Sequence, residues 1–316
     1  MHMYPFPIPA NIATDLKQVE EIVAERMQAR PVVVQAAGAY LHERGARHAR
    51  AALVLLAAHL GRYDLRRVVH AATAAELIHA ATVVHDALVD EAARRRDQAL
   101  AGKRWSGDVA LMVGDYLLAL AAAEMALAPD GRIIGLYSRA VMTFCEGKLT
   151  PVAAAAPFDQ AVAQYEYAAE CHTAALFAAA GRVGVICGGG EDALAETLGR
   201  FGTELGMALH IAGDIRDYDT DDRRAGRSLR AGRITLPLIY AVEAGGGAEL
   251  AAIVDHQPQD APRIAAAVEQ VRRQGVPPAR AAARERSRRA IELLAAVPPG
   301  ATRDALVALA GWAVQA

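Results

Sequence analysis

Apolar residues recur along this chain at intervals of three and four, and no segment alternates with period two. That spacing predicts helices, because positions three and four apart lie on one helical face. Alanine-rich amphipathic runs fall at 16–43, 48–60, 64–93, 107–127, 131–150, 160–188, 191–217, 233–244, 262–274, 277–296 and 302–315. Gly- and Pro-containing turn signals such as "LAPDG", "CGGGED" and "VPPGA" separate several of them. No repeat of fixed period and no linker-like stretch interrupts the series. The expectation is one all-α domain of about a dozen helices over residues 1–316. Residues 1–15 are a candidate disordered start, and 245–316 a peripheral helical layer.

Composition supports helices over strands. Apolar residues make up 53% of the 316 positions and aromatics only 5%, so alanine and leucine must supply the core. The formal net charge of -2 gives no sign of a nucleic-acid partner. Cys145, Cys171 and Cys187 are too few and too scattered for a disulfide framework or a zinc site, which favours the cytoplasm. The first residues carry no secretory pattern. The most membrane-like stretch, "ALMVGDYLLALAAAEMALA", is interrupted by Asp115 and Glu124, so a buried helix is expected there and not a transmembrane span.

Charge then picks out three segments. In "AAELIHAATVVHDALVDEAARRR", Glu76, His79, Val83, Asp86 and Asp90 follow a 3-4-3-4 spacing and share a helix face. Asp86 and Asp90, four apart, would repel each other unless a cation is shared. Mg²⁺ suits such a pair, since it takes a few carboxylate oxygens and completes its shell with water and substrate phosphate. The bland alternative is a solvated face with Arg94 to Arg96 as ion-pair partners, but Val83, Val84, Leu88 and Val89 argue for burial. The second segment places Asp214 and Asp217 at the end of an apolar run, before an arginine-dense loop that holds Gly226 and Gly232. Such a loop could close over phosphates, or could equally be a solvated basic turn. In the third, Arg47, His48 and Arg50 open an apolar helix, where guanidinium groups and free N–H groups both favour anions. A His-Asp metal phosphohydrolase, suggested by His85-Asp86, fails because His85 lies on a different face from Asp90.

These segments, in this order from about residue 40 to 245, resemble the trans-isoprenyl diphosphate synthases of the polyprenyl synthetase family. The likeness is carried by "ELIHAATVVHDALVDEAARRR", "GDYLLA", "ECHTAALF", "HIAGDIRDY" and "GRITLPLIYA". It implies an all-helical fold around a central cavity, commonly dimeric. An allylic diphosphate would be held through Mg²⁺ on two DDxxD motifs, and isopentenyl diphosphate on a separate basic site. Asp86 and Asp90 match the first and last aspartates of the first motif, with Ala87 at the second. The family's following arginines match Arg95 and Arg96. The second motif reads Gly213-Asp214-Ile215-Arg216-Asp217, so its leading aspartate is absent. By resemblance the metal ligands are Asp86, Asp90, Asp214 and Asp217. The isopentenyl site corresponds to Arg47, His48, Arg50 and His79. His172 and Thr173 stand at the family's Lys-Thr pair, His210 at its glutamine and Arg233 at its later lysine. Small residues Ala81 and Thr82, where relatives that make short products carry a bulky aromatic, leave the path of a growing chain open.

Three functions stay open on the sequence. The first is a prenyltransferase that condenses an allylic diphosphate with isopentenyl diphosphate, acting as a homodimer. The second is a weakly active or non-catalytic subunit paired with a catalytic homologue. The third is a terpene-cyclase-like enzyme acting on an allylic diphosphate alone.

Overall fold

The computed structural model describes residues 6–28, 48–94, 107–220, 225–246, 250, 253 and 261–315, with the side chains of 87–94 outside that description. Among the described residues every regular element is helical. In chain order the α-helices are α1 (Ala10–Met27), α2 (Ala49–Ala58), α3 (Leu65–Arg94), α4 (Gly107–Ala126), α5 (Arg132–Leu149) and α6 (Phe158–Ala169). Then come α7 (Ala175–Cys187), α8 (Asp192–Tyr218), α9 (Arg227–Arg230), α10 (Leu236–Ala241), α11 (Ala261–Gln274), α12 (Val276–Leu293) and α13 (Ala301–Ala313). The all-α expectation is met.

Most expected boundaries lie within a few residues of the observed ones. Two differ for local reasons. The first helix starts at Ala10, well before the expected 16, because Pro9 sits at the N-cap with extended backbone and leaves the next residues free to wind. Ile12 of this helix is buried, inside the stretch 1–15 read as a candidate disordered start, and Leu16 just after it is fully buried. The run expected as one helix over 160–188 contains a π-helical turn at Glu170–Ala174. Such a turn holds an extra residue and often marks a functional position.

The chain divides into two compact units. The first comprises residues 1–141, 176–202 and 293–309; the second comprises 142–175, 203–292 and 310–316. In the first unit, α2 is apolar nearly all round, with nine of its ten residues buried, so it is a core helix. Its backbone meets that of α7 closely. A Cβ at Gly184 would stand 2.3 Å from the Val54 carbonyl oxygen, so only glycine permits the approach. Likewise a Cβ at Gly181 would stand 2.1 Å from the Leu198 carbonyl oxygen of α8. Alanine and glycine thus replace bulky side chains by letting backbones pack against each other.

The second unit has its own core, with Tyr165, Met207, Ile211, Tyr218, Leu229, Leu238, Ile239, Val271, Val276 and Ala283 among its buried members. Several of these come from α11 and α12, so the tail expected as a peripheral layer supplies part of this core. The Tyr218 hydroxyl, fully buried, is satisfied by Thr235 Oγ1 at 2.8 Å.

One helix, Asp108–Ala126, is long and apolar enough to cross a membrane by length and composition, with mean hydropathy 1.6. The expectation that it is buried holds for one face. Val113, Leu117, Ala121 and Glu124 are buried, and Glu124 accepts from Arg26 Nε at 2.6 Å and contacts His70 Nδ1 at 2.7 Å. The other face leaves Leu111, Met112 and Tyr116 exposed, Met112 to 64%.

Candidate functional site

Helix α3 carries the first aspartate motif. Asp86 is part-buried. Asp90 follows one turn later on the same helix, which by helical geometry puts both residues on one face. Ala87 and Asp90 belong to the stretch whose side chains lie outside the description, and Arg47, Arg95 and Arg96 lie outside the described residues altogether. His85 points elsewhere. Its Nε2 lies 3.5 Å from Asp115 Oδ1 and 3.4 Å from the Leu111 carbonyl oxygen of α4. The imidazole occupies the space a side chain at Gly114 would fill, where a Cβ would stand 2.0 Å from it. The glycine of "GDYLLA" is therefore a packing requirement of the His85 ring. One turn above Asp86, Ala81 is fully buried and Thr82 donates its hydroxyl to the His79 carbonyl at 2.8 Å.

The cationic start of α2 meets the upstream part of α3 through Glu76. This carboxylate, 6% exposed, accepts the Ala51 backbone N–H at 2.9 Å with Oε1. Its Oε2 lies 3.4 Å from His48 Nδ1. The other ring nitrogen of His48 faces Glu20 Oε1 of α1 at 3.6 Å. Burial alone would raise the Glu76 carboxyl, but contact with His48 and the Arg50 charge outweigh it and hold it down to about 2. Burial also opposes a charged His48, yet Glu76 and Glu20 outweigh it and raise the imidazole above its ordinary value. Arg50 lies with its guanidinium 4.5 Å over the Phe177 ring. Burial lowers it to about 10, so it keeps its charge at neutral pH. Burial, then the Arg50 charge, pushes His79 down to about 3, which makes it a neutral imidazole. Three expected residues, His48, Arg50 and His79, are thus brought together around Glu76. Sequence spacing put Glu76 on the right face but gave no sign that it would be the hub.

The second aspartate motif ends α8. Gly213 is on the helix, and a Cβ there would meet nothing nearer than Arg216 Nη2 at 3.7 Å. Asp214 accepts the Tyr165 hydroxyl on Oδ2 at 2.7 Å. Burial lifts its carboxyl to about 7, although Tyr165, Arg233 and the Leu236 backbone all favour the charged form. Asp217 is used differently. Its Oδ2 accepts the Ser228 N–H at 2.8 Å and its Oδ1 the Arg227 N–H at 3.2 Å, so it caps α9. Exposed Arg233 lies 3.4 Å from Ser228 Oγ through Nη2. Beside this, Thr173 Oγ1 and His210 Nδ1 are 2.8 Å apart. His172, in the π-turn, has its ring 6.4 Å from that of His210. Burial, with the Lys148 and His210 charges, pushes His172 down to about 3. Where a lysine would supply positive charge, this chain places a neutral imidazole. Tyr165 was not singled out from the sequence; an aromatic in an alanine-rich helix gives no local signal of a carboxylate 49 positions away.

For a hard divalent cation, oxygen donors are required. Asp86 and Asp90 offer them by type and spacing. Asp214 offers one oxygen free of Tyr165, while Asp217 has both oxygens engaged by backbone N–H groups. Among the described residues no group of three or more His, Cys, Asp or Glu side chains is gathered to hold a metal ion. By residue type and spacing alone the first motif offers a hard cation two carboxylates, whereas at the second Asp217 is already engaged.

The architecture gives the class first: this is the isoprenoid-synthase type of helical fold. The crystal structure of polyprenyl synthase from Caulobacter crescentus CB15, complexed with calcium and isoprenyl diphosphate, matches with a TM-score of 0.88 and 28% identity over 97% of this chain and 96% of that one. The family follows from sequence. The polyprenyl synthetase family model matches residues 31–271, and the chain belongs to that family. Among its relatives, the heptaprenyl diphosphate synthase component 2 of Geobacillus stearothermophilus is 33% identical over 76% of this chain and 75% of its own length. The nonaprenyl diphosphate synthase of Mycobacterium tuberculosis (strain ATCC 25618 / H37Rv) is 30% identical over 95% and 89%.

Proposed function

We propose that this protein is a cytoplasmic prenyltransferase that joins an allylic diphosphate to isopentenyl diphosphate. The observation that carries the reading is α3 itself. The helix that bears Asp86 and Asp90 also bears Glu76 and His79, which meet Arg50 at the cationic start of α2. One helix therefore serves a carboxylate pair and, nearer its start, an anion-binding cluster. Mg²⁺ on Asp86 and Asp90 would neutralise the departing diphosphate. The chain's own part is to bind and orient. Arg50 keeps its charge for the isopentenyl diphosphate, with Arg47 as its expected companion. Arg95, Arg96 and Arg233 are assigned to the phosphates of the allylic substrate. Neutral His172 and the Thr173–His210 pair are assigned to the reacting centre, where a second cation beside the allylic charge would oppose its formation. Ala81 and Thr82 leave room for an extending tail. The exposed apolar face of α4, with Leu111, Met112 and Tyr116, is assigned to a second copy of the chain in a homodimer.

A second reading is a subunit of weak activity that needs a catalytic homologue. It is favoured by the relatives named heptaprenyl diphosphate synthase component 2, and by Gly213, which removes a carboxylate from the second motif. Both readings are tested by incubating the pure protein with labelled isopentenyl diphosphate, a series of allylic diphosphates and Mg²⁺. Elongated products from the protein alone support the first reading. Product that forms only when a homologous partner is added supports the second. Pyrophosphate and a hydrocarbon without isopentenyl diphosphate would overturn both in favour of a cyclase.

A further inference from the structure

Residue 48 is a histidine immediately before the first turn of α2, and its backbone accounts for part of that choice. His48 adopts a left-handed conformation, with φ of 43°, immediately before α2. Histidine, asparagine and aspartate tolerate that region better than most residues. Its ring nitrogens each face a carboxylate at ion-pair distance: Nε2 lies 3.6 Å from Glu20 of α1, and Nδ1 lies 3.4 Å from Glu76 of α3. A ring flanked by two carboxylates is a poor place for a phosphate, because like charges would meet there. It forms the middle of a carboxylate–imidazole–carboxylate bridge across three helices. The far carboxylate, Glu76, also takes the Ala51 N–H in the first turn of α2. Between those two contacts lies Arg50, whose Nε is buried without a hydrogen-bond partner.

We propose that the Glu20–His48–Glu76 bridge is a positioning device for the isopentenyl diphosphate site, fixing the first turn of α2 so that Arg50 is presented to the diphosphate. This rests on the reading of the Arg50 cluster as that site. His48 acts through Arg50 and does not touch the substrate. Because its central group is an imidazole, the bridge is titratable. The groups facing the ring are Glu20 from α1 and Glu76 with His79 from α3, with Arg50 on its own helix. The carboxylates favour the imidazolium; it is lost as pH rises through the raised value, and the presentation of Arg50 is lost with it.

The test is a calorimetric titration of the full chain with isopentenyl diphosphate alone, from about pH 6 to about pH 9, a range that brackets imidazole titration. His48→Asn keeps a residue suited to left-handed backbone and removes the charge. The wild type should lose affinity by about tenfold more than His48→Asn over this range, the scale of one charge-assisted contact. At the acid end the variant should bind about tenfold more weakly than wild type. Glu20→Gln, on the part-exposed end of the bridge, should move the wild-type loss to lower pH, and it carries the test if His48→Asn does not fold. Parallel pH dependences of wild type and His48→Asn would overturn the proposal. So would Glu20→Gln leaving the pH dependence in place. Wild-type binding that does not vary in this way overturns the bridge alone. Absence of binding at every pH overturns the functional reading as well.

Discussion

Replacing Asp214 by asparagine should stabilise the protein at alkaline pH and leave its stability nearly unchanged in acid. Burial lifts this carboxyl from an ordinary 3.8 to about 7. Each unit of displacement corresponds to about 1.4 kcal/mol, so the ceiling is roughly 4 kcal/mol, and about 2 kcal/mol is expected once water reaching a part-exposed side chain is allowed for. The sign follows from which state holds the proton more tightly. The folded state does, so the favourable contribution is complete below the unfolded value of 3.8 and is lost as pH rises through about 7. Asparagine keeps an acceptor for the Tyr165 hydroxyl, which lies 2.7 Å from Oδ2, and carries no charge to bury. Urea unfolding followed by circular dichroism, in the presence of a chelator, gives the two free energies at acid and alkaline pH. The variant should gain about 2–4 kcal/mol on wild type at about pH 8 and close to nothing at about pH 4. Equal differences at the two pH values would refute the burial argument. A wild type that is the more stable at alkaline pH would show that Asp214 is held as a charged carboxylate by its neighbours.

Three other outcomes follow from the geometry. Gly184→Ala forces a Cβ to within 2.3 Å of the Val54 carbonyl oxygen, so α2 and α7 must separate; about 2 kcal/mol and a fall of several degrees in Tm are expected, measured by thermal unfolding. Gly213→Asp meets no such obstacle, with Arg216 Nη2 at 3.7 Å as its nearest neighbour; Tm should hold within about 2 °C, and Mg²⁺ affinity measured by calorimetry should rise severalfold. On the proposed homodimer, Met112→Glu places a charge at a position 64% exposed on the apolar face of α4; sedimentation should show a shift from dimer to monomer with the helical circular dichroism unchanged.

The helical class and most boundaries were legible because helix periodicity is a local property. Spacing alone put Glu76, His79, Asp86 and Asp90 on one face of α3, and turn chemistry placed the ends of α5 and α8 to within a residue. What stayed hidden depends on pairs distant in sequence. Glu76 meets Ala51 across 25 positions, Tyr165 meets Asp214 across 49, and Arg26 meets Glu124 across 98. No window of local pattern contains such pairs. Asp217 illustrates a second limit. Its place in the motif suggested a ligand, whereas its oxygens take the N–H groups of Arg227 and Ser228, a capping role that depends on a turn ten residues later. The exposed half of α4 shows a third. An apolar run that long looks like a core helix, and only the folded chain reveals which half stays exposed.

The glycines that let helical backbones touch have a consequence for how such a sequence can drift. At Gly181 and Gly184 the neighbouring atom is a main-chain carbonyl, which cannot yield by rotating a side chain. Ala57, whose Cβ would stand 2.6 Å from a Cβ at Gly184, is free to exchange only with residues no larger. Compensation cannot come from a single second-site change, because it would require moving an entire helix. The helix pair is therefore held to a narrow set of residues by geometry, whatever chemistry is selected at the sites nearby. Descendants could acquire or lose an aspartate at position 213 in one step, while the contact of α2 with α7 stayed fixed.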